Sequence, residues 1–397
     1  MKPFITAIIA AICLPTLCQA DAMEELRAEI AECVEGNCSP LSVDFEDLSD
    51  IPIEVVNMPG LISLRLSRSG ITDFSRLAQM PWLDALDLSR TQITDISVLA
   101  SLTGLTRLQL VSTAVTDLGP LAALTGLREL DLTGSDVTDI SPLAGLHALA
   151  NLSLNGTGVS DISVVAELGA LHRLYLDRSA VTDLSALAGA GGLFGLYLDD
   201  LPITDLSPLA SLTALQELRL NGMPATDISA LSGLHSLRRL NMEETLVVDL
   251  SPLSSLAGLY ELDLTSNEVV MDLSPLAGLS RLRELRLERT NITDLTPLAG
   301  HVMLEELDID KTPVTDLAPL AGLTGLTELS LTGTQVSDLS ALAGLVALRT
   351  LKIDGTAVSD ISAILALPEL RSVTLGDETA VPQAQIDALE ARDVQVR

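Results

Sequence analysis

The sequence predicts an α/β solenoid: a curved, right-handed superhelix with a parallel sheet on its concave side and short helical turns on its convex side. Three observations carry this expectation. The first is a ladder of aspartates at 73, 95, 117, 139, 161, 183, 205, 227, 249, 272, 294, 316, 338 and 360, each followed by Ile, Leu or Phe. Twelve of the thirteen intervals are 22 residues and one, from 249 to 272, is 23; a fixed period of this length marks stacked repeats. Second, the leucines inside each unit are spaced as in Leu83, Leu86 and Leu88, and the Leu-x-Leu step alternates with the period of a strand. Third, the rest of each unit, as in Asp139 to Leu146, supplies a capping Asp, a proline suited to a first helical turn and a glycine that stops it.

Taken in order, residues 1–20 read as a signal peptide. Lys2 precedes an apolar run from Phe4 to Leu17, and Cys18-Gln19-Ala20 and Ala20-Asp21-Ala22 both resemble small-residue cleavage sites. Residues 21–60 read as an N-terminal cap, with an amphipathic helix over Met23–Cys33. Residues 61–375 hold about 14–15 repeats, and 376–397 a C-terminal cap with a helix from Pro382 to Ala391 and a last strand at Val394 to Val396. Caps are required because an open stack exposes its core at both ends. Fifteen strands about 4.8 Å apart make a ribbon roughly 70 Å long. Removal of the signal leaves Cys33 and Cys38. In an oxidising compartment this pair closes a small disulfide, whereas a metal site would need two further ligands and no His lies nearby in sequence.

The chain has 397 residues, 47% apolar but 2% aromatic, and a formal charge of −31. Its excess of carboxylates excludes nucleic acid, which needs a basic face to displace counterions. Anionic membrane surfaces repel it for the same reason. No later stretch offers the roughly 20 uninterrupted apolar residues that span a bilayer, so the mean hydropathy of +0.40 reflects repeated core leucines.

The unit LxxLxLxx(T/S)x(I/V), as in Leu83 to Ile93, resembles the leucine-rich repeat family, and the tail TDIxPLxxL resembles its internalin-type bacterial subclass. The resemblance covers about residues 61–375. One departure is that Thr or Ser mostly occupies the position where the family commonly shows Asn, as at Thr91, Thr113, Ser135, Thr157, Thr290 and Thr334. A hydroxyl still bonds neighbouring backbone, with one polar group fewer. The resemblance implies recognition rather than catalysis. No HExxH, GxSxG, phosphate-cradling glycine loop or CxxC occurs, and His147, His172, His235 and His301 fall in distant repeats as surface or turn-filling residues. No cofactor and no metal is expected. The aspartates are expected to cap helical turns, and an acidic column that gathers cations is the competing reading.

Function is then expected on the concave face. Outward positions in the first three repeats carry Arg65, Arg68, Arg90 and Arg107 against Asp87, whereas repeats seven to fifteen carry 15 acids against 6 bases. Such a gradient orients a partner. A hot spot is expected at Arg173, Tyr175, Asp177, Tyr197, Asp199, Glu217, Arg219 and Asn221, because the two tyrosines occupy equivalent outward positions and Leu201-Pro202 and Met223-Pro224 interrupt the hydroxyl column beside them. His172, Phe194 and Tyr260, one position earlier, are expected to pack at the strand shoulder. The extra residue within Thr265 to Met271 is expected to bulge a loop. The sequence thus describes an exported, periplasmic or secreted, protein that binds a macromolecule, with a protein ligand favoured. The alternative is a structural envelope or surface protein with a cation-interacting acidic ridge.

Overall fold

Each Leu-x-Leu core forms a strand of three residues, short because the chain must turn away on both sides to complete a coil of 22. The computed structural model describes residues 42–44, 50–58, 60–376 and 380–397. The signal peptide, the helix over Met23–Cys33 and the Cys33–Cys38 disulfide lie outside the described residues. The chain divides into two compact units, Met1–Leu193 and Phe194–Arg397.

The first unit holds strands β1 (Ser42–Asp44), β2 (Ser63–Arg65), β3 (Ala85–Asp87), β4 (Arg107–Gln109), β5 (Glu129–Asp131), β6 (Asn151–Ser153) and β7 (Arg173–Tyr175), together with the one-turn helix α1 (Ile53–Val56). They pair in parallel in sequence order, with Leu64, Leu86, Leu108, Leu130, Leu152 and Leu174 in register. Strand β1 adds an edge strand ahead of the first full repeat, which the sequence pattern does not announce.

The second unit holds β8 (Gly195–Tyr197), β9 (Glu217–Arg219), β10 (Arg239–Asn241), β11 (Glu261–Asp263), β12 (Glu284–Arg286), β13 (Glu306–Asp308), β14 (Glu328–Ser330), β15 (Thr350–Lys352), β16 (Ser372–Thr374), the helix α2 (Gln383–Glu390) and β17 (Gln395–Val396). Register is again leucine on leucine, and Leu262 still faces Leu285 across the 23-residue interval. The extra residue is therefore absorbed in the loop after β11. At the end of this unit Val373 pairs with Val396. Arg392 donates to the carbonyls of Leu365 and Leu367, and Gln385 accepts the N–H of Ile361 while donating to Asp360. These bonds fasten α2 over the last coil.

After each of the strands β2 to β15 runs a 3-10 turn of three to five residues, such as Ser97–Ser101 or Ser141–Leu143. All fourteen ladder aspartates act in one way: Oδ1 accepts the backbone N–H two residues on, at 2.8–2.9 Å, where the 3-10 turn begins. The carboxylate satisfies a donor that the turn itself leaves unpaired.

Between strands and turns lies a continuous aliphatic layer. In one coil Leu127, Leu130, Leu132, Val137, Ile140, Leu143 and Leu146 are all buried, and the other repeats copy the set closely, with Ala190 half-buried and His301 buried at the last place in two of them. A coil this thin has no interior of its own, so burial comes from its neighbours. The hydroxyl column sits at the margin of this layer. Thr91, Thr113, Thr157, Thr290, Thr312 and Thr334 donate to the carbonyl three residues back at 2.7–2.8 Å. Serine at Ser69, Ser135 and Ser179 makes no such bond. Asn267 does more: its amide donates to the carbonyls of Met242 and Leu264, and its oxygen accepts the N–H and hydroxyl of Thr245 one coil earlier.

The residue three places after each of the strands β2 to β15 turns the chain through the left-handed region. The same column reads Arg68, Arg90, Ser112, Gly134, Gly156, Arg178, Asp200, Gly222, Glu244, Ser266, Arg289, Lys311, Gly333 and Gly355, all at φ between 53° and 70°. The eighth position is therefore a backbone requirement as well as a decoration, and it is strained wherever a side chain is present.

Two outcomes follow for stability. Ser112→Gly is expected to raise unfolding free energy by about 1 kcal/mol, read from denaturant midpoints. Asn267→Ala is expected to lower it by about 3 kcal/mol, because buried carbonyls and Thr245 lose partners together, against about 1 kcal/mol for Thr113→Ala; equal losses for the two would refute the bridging role of Asn267.

Candidate binding face

Alternation sends every second strand residue away from the leucine layer, so the open face of each sheet is a grid of variable side chains. In the first unit this grid encloses a groove of about 440 Å³ running from β2 to β7. Arg65, Arg107, Arg173 and Tyr175 line it together with Asp87, Glu129 and Asp131. Arg65, Arg107 and Arg173 are exposed, and Asp84 holds Arg107 by an ion pair of 2.9 Å. The groove thus mixes cationic arms, three carboxylates and one phenol over the sheet. Arg173 and Tyr175, from the expected hot spot, are part of it, and Asp177 follows them half-buried. The remaining members of the groove could have been found from the same outward columns had they been read together.

The second unit carries the other five hot-spot residues, and here the grid is knitted to itself. Arg219 and Asp199 form an ion pair of 2.5 Å, Asp199 accepts the backbone N–H of Asn221, and Asn221 in turn accepts that of Glu243. Tyr197 and Asp199 are buried, at 8% and 7% exposure, so neither offers the surface that an outward position promised. Leu201 and Met223, which interrupt the hydroxyl column, point into the core at 1% exposure. That interruption is a packing substitution: an apolar side chain fills the place of the hydroxyl. Glu217 and Glu261 both approach Arg239, whose guanidinium lies 5.1 Å from the Tyr260 ring centre. Arg286 meets Glu284 and Glu306 at 3.2 and 2.9 Å. At the strand shoulder Tyr260 is half-buried, Phe194 is 41% exposed and His172 is exposed. His301 fills a turn, fully buried, with its ring nitrogens 3.2 and 3.1 Å from the carbonyls of Leu298 and Leu276. Among the described residues, no three His, Cys, Asp or Glu side chains gather as a metal-holding group, and no helix is long and apolar enough to cross a membrane.

No family model and no curated protein matches the chain. Solved structures do. An internalin from Listeria monocytogenes is 27% identical over 94% of this chain and all of its own, with a TM-score of 0.64. Its repeats are internalin-like leucine-rich repeats. Its fold is shared with a leucine-rich repeat protein of Leptospira interrogans, 21% identical over 92% of this chain and 98% of that one, TM-score 0.83. It is also shared with a plant peptide hormone receptor, RGFR1, in complex with RGF2, 16% identical over 85% of this chain and 66% of that one, TM-score 0.57.

In this leucine-rich repeat protein four ladder carboxyls and three on the face are shifted in opposite senses. Backbone and hydroxyl hydrogen bonds from Ser75, Ser97, Ser141 and Ser163 hold the carboxyls of Asp73, Asp95, Asp139 and Asp161 below the usual range. On the face of the second unit burial raises Glu243, with the charge of neighbouring Asp263 adding to it and Arg219 opposing. Burial likewise raises Glu261, and it pushes Asp308 up to about 6 against the lowering bond from the Asp310 N–H.

The sign of each contribution is fixed by which state binds more protons. Asp308 ionised is worse solvated folded than unfolded, so it destabilises the fold above about 6, and stability returns as pH falls toward the ordinary value of 3.8. Asp73, Asp95, Asp139 and Asp161 do the reverse, losing their contribution as pH falls through their lowered values. Asp308→Asn, which keeps an acceptor for the Asp310 N–H, is expected to raise Tm at pH 7.5 and to leave it unchanged near pH 4. Calorimetry at the two pH values checks this, and an equal shift at both would show that the charge is not the cause.

Proposed function

We propose that this chain is an exported leucine-rich repeat protein that recognises a protein ligand on the open sheet face, and that it is not an enzyme. The observation that carries the reading is the groove of the first unit, where Arg65, Arg107, Arg173 and Tyr175 stand over a rigid sheet among carboxylates. Arginine and tyrosine are the side chains that concentrate binding energy, since both combine a large apolar area with fixed polar geometry. The mixture of signs suits a polypeptide, which offers both charges and backbone groups, better than a polyphosphate. The second unit contributes an acidic field in which Glu217, Arg219 and Asn221 remain part-exposed, and this field steers a partner with a basic segment. The relative solved in complex with RGF2, a plant peptide hormone receptor, supports a polypeptide ligand. The pattern of residues 1–20 supports export. The ladder does not compete for this role: each of its carboxylates is occupied in holding a turn.

The test is affinity capture from culture or envelope extracts with the processed protein, followed by mass spectrometry and titration of what is retained. A saturable partner of one-to-one stoichiometry is expected. Arg65→Ser combined with Arg173→Ser and Tyr175→Ala is expected to weaken its binding about tenfold or more, with Tm unchanged. Tyr197→Ala combined with Arg219→Ala tests the second unit in the same assay. Retention unaltered by either set would place recognition elsewhere.

A further inference from the structure

The edge where each coil leaves the sheet is polar in twelve of the fourteen repeats, since a Thr or Ser precedes the ladder aspartate. Two neighbouring repeats break this rule together. Val248 and Met271 replace the hydroxyl and are 63% and 66% exposed. Two positions earlier Leu246 and Val269 stand 54% and 39% exposed, where other repeats carry Gly, Ala, Pro, Gln, Asn or Asp. The result is a two-by-two block of large aliphatic side chains on one edge of the second unit. It coincides with the 23-residue interval. Behind it the structure is firm: Val247 and Val270 are buried, Val270 donates its N–H to Asn267, and Asn267 ties the two coils together. An apolar block held this rigidly in water destabilises nothing when covered and invites association when bare.

Its rim states the chemistry of what covers it. Glu244, Asp249, Glu268 and Asp272 are exposed around the four side chains, and no Lys or Arg occurs between Arg239 and Arg281. A second copy brings the same acidic rim and a net charge of −31, so it meets like charge at the contact. Anionic lipid meets the same repulsion. A segment that alternates aliphatic and cationic side chains satisfies both the block and its rim. We propose that Leu246, Val248, Val269 and Met271 form a docking surface for a cationic, aliphatic segment of a partner protein, separate from the groove of the first unit.

The test uses the full processed chain and a fluorescein-labelled twelve-residue peptide alternating Lys and Val, with Lys–Ser and Glu–Val peptides as controls. The variant Val248→Thr with Met271→Thr restores to these two coils the residue that twelve others carry, and it changes no charge. Anisotropy at low salt is expected to show one saturable Lys–Val site on the wild type, weakened about tenfold or more in the variant. Lys–Ser binding is expected to be weak and equal in both proteins, and Glu–Val binding absent. The groove variant Arg65→Ser with Arg173→Ser is expected to leave the Lys–Val site intact, which separates this surface from the proposed recognition groove. Lys–Val binding that is equal in wild type and variant, or absent from the wild type, overturns the proposal. So does sedimentation of the wild type as a dimer that the variant abolishes, or its co-sedimentation with zwitterionic vesicles, since either names a different occupant.

Discussion

A coil of 22 residues has no inside. Everything in this molecule answers to that constraint: Leu218 is dry because Leu196 and Leu240 flank it in register, and those are dry because of the next. The hydrophobic free energy of a repeat therefore belongs to its two interfaces, about 0.8 kcal/mol for each methylene covered. Any one coil is worth nothing alone, and the ends must be closed by something different. Helix α2 and β17 do this at the C-terminal end, with Arg392 and Gln385 as the fastenings.

Because the core is settled almost wholly by aliphatic side chains, most polar groups are free to do local work. The ladder aspartates work mainly within their own coil: each bonds an N–H two residues away, and Asp360 also holds the C-terminal helix, through Gln385. The threonines likewise bond a carbonyl three residues back. Exposed carboxylates spaced one per coil repel their neighbours, and capping bonds offset that repulsion by holding the ionised form. On the sheet face the balance differs. There the charged groups lie closer and drier, and Arg219, Arg239 and Arg286 are shared among acids that outnumber them. The first unit leaves more of its arginine exposed, which is why it, rather than the better-knitted second unit, presents the more accommodating surface.

Much of this was legible beforehand because it depends on period. A repeat of 22 with Leu-x-Leu dictates parallel three-residue strands, and an Asp two residues before a turn dictates the cap. What escaped reading depends on direction. Tyr197 and Tyr175 hold the same place in the pattern, yet one is buried and the other half-open, because the surroundings of a side chain are not periodic. Leu201 and Met223 interrupt a column in a way that resembles a functional break, but they turn inward, where volume alone decides. The left-handed column was hidden because Arg, Ser, Asp, Glu and Lys occupy it more often than Gly. Asn267 was hidden by the extra residue that follows it, which shifts the ladder relative to the strand. The groove of the first unit was half visible: Arg65 and Arg107 were noted as charge, Arg173 and Tyr175 as a hot spot, and only their joint lining of one cavity brings them together.

Asn267 has a consequence for how such an array changes length over generations. A duplication or deletion of one unit elsewhere leaves every cap intact, since donor and acceptor are inherited on the same short stretch of gene. The coils that carry Thr245 and Asn267 share their bonds and cannot be parted without orphaning three of them. Recombination that lengthened or shortened the protein between those two repeats would therefore cost more than a cut between coils joined by leucine contacts and backbone bonds alone.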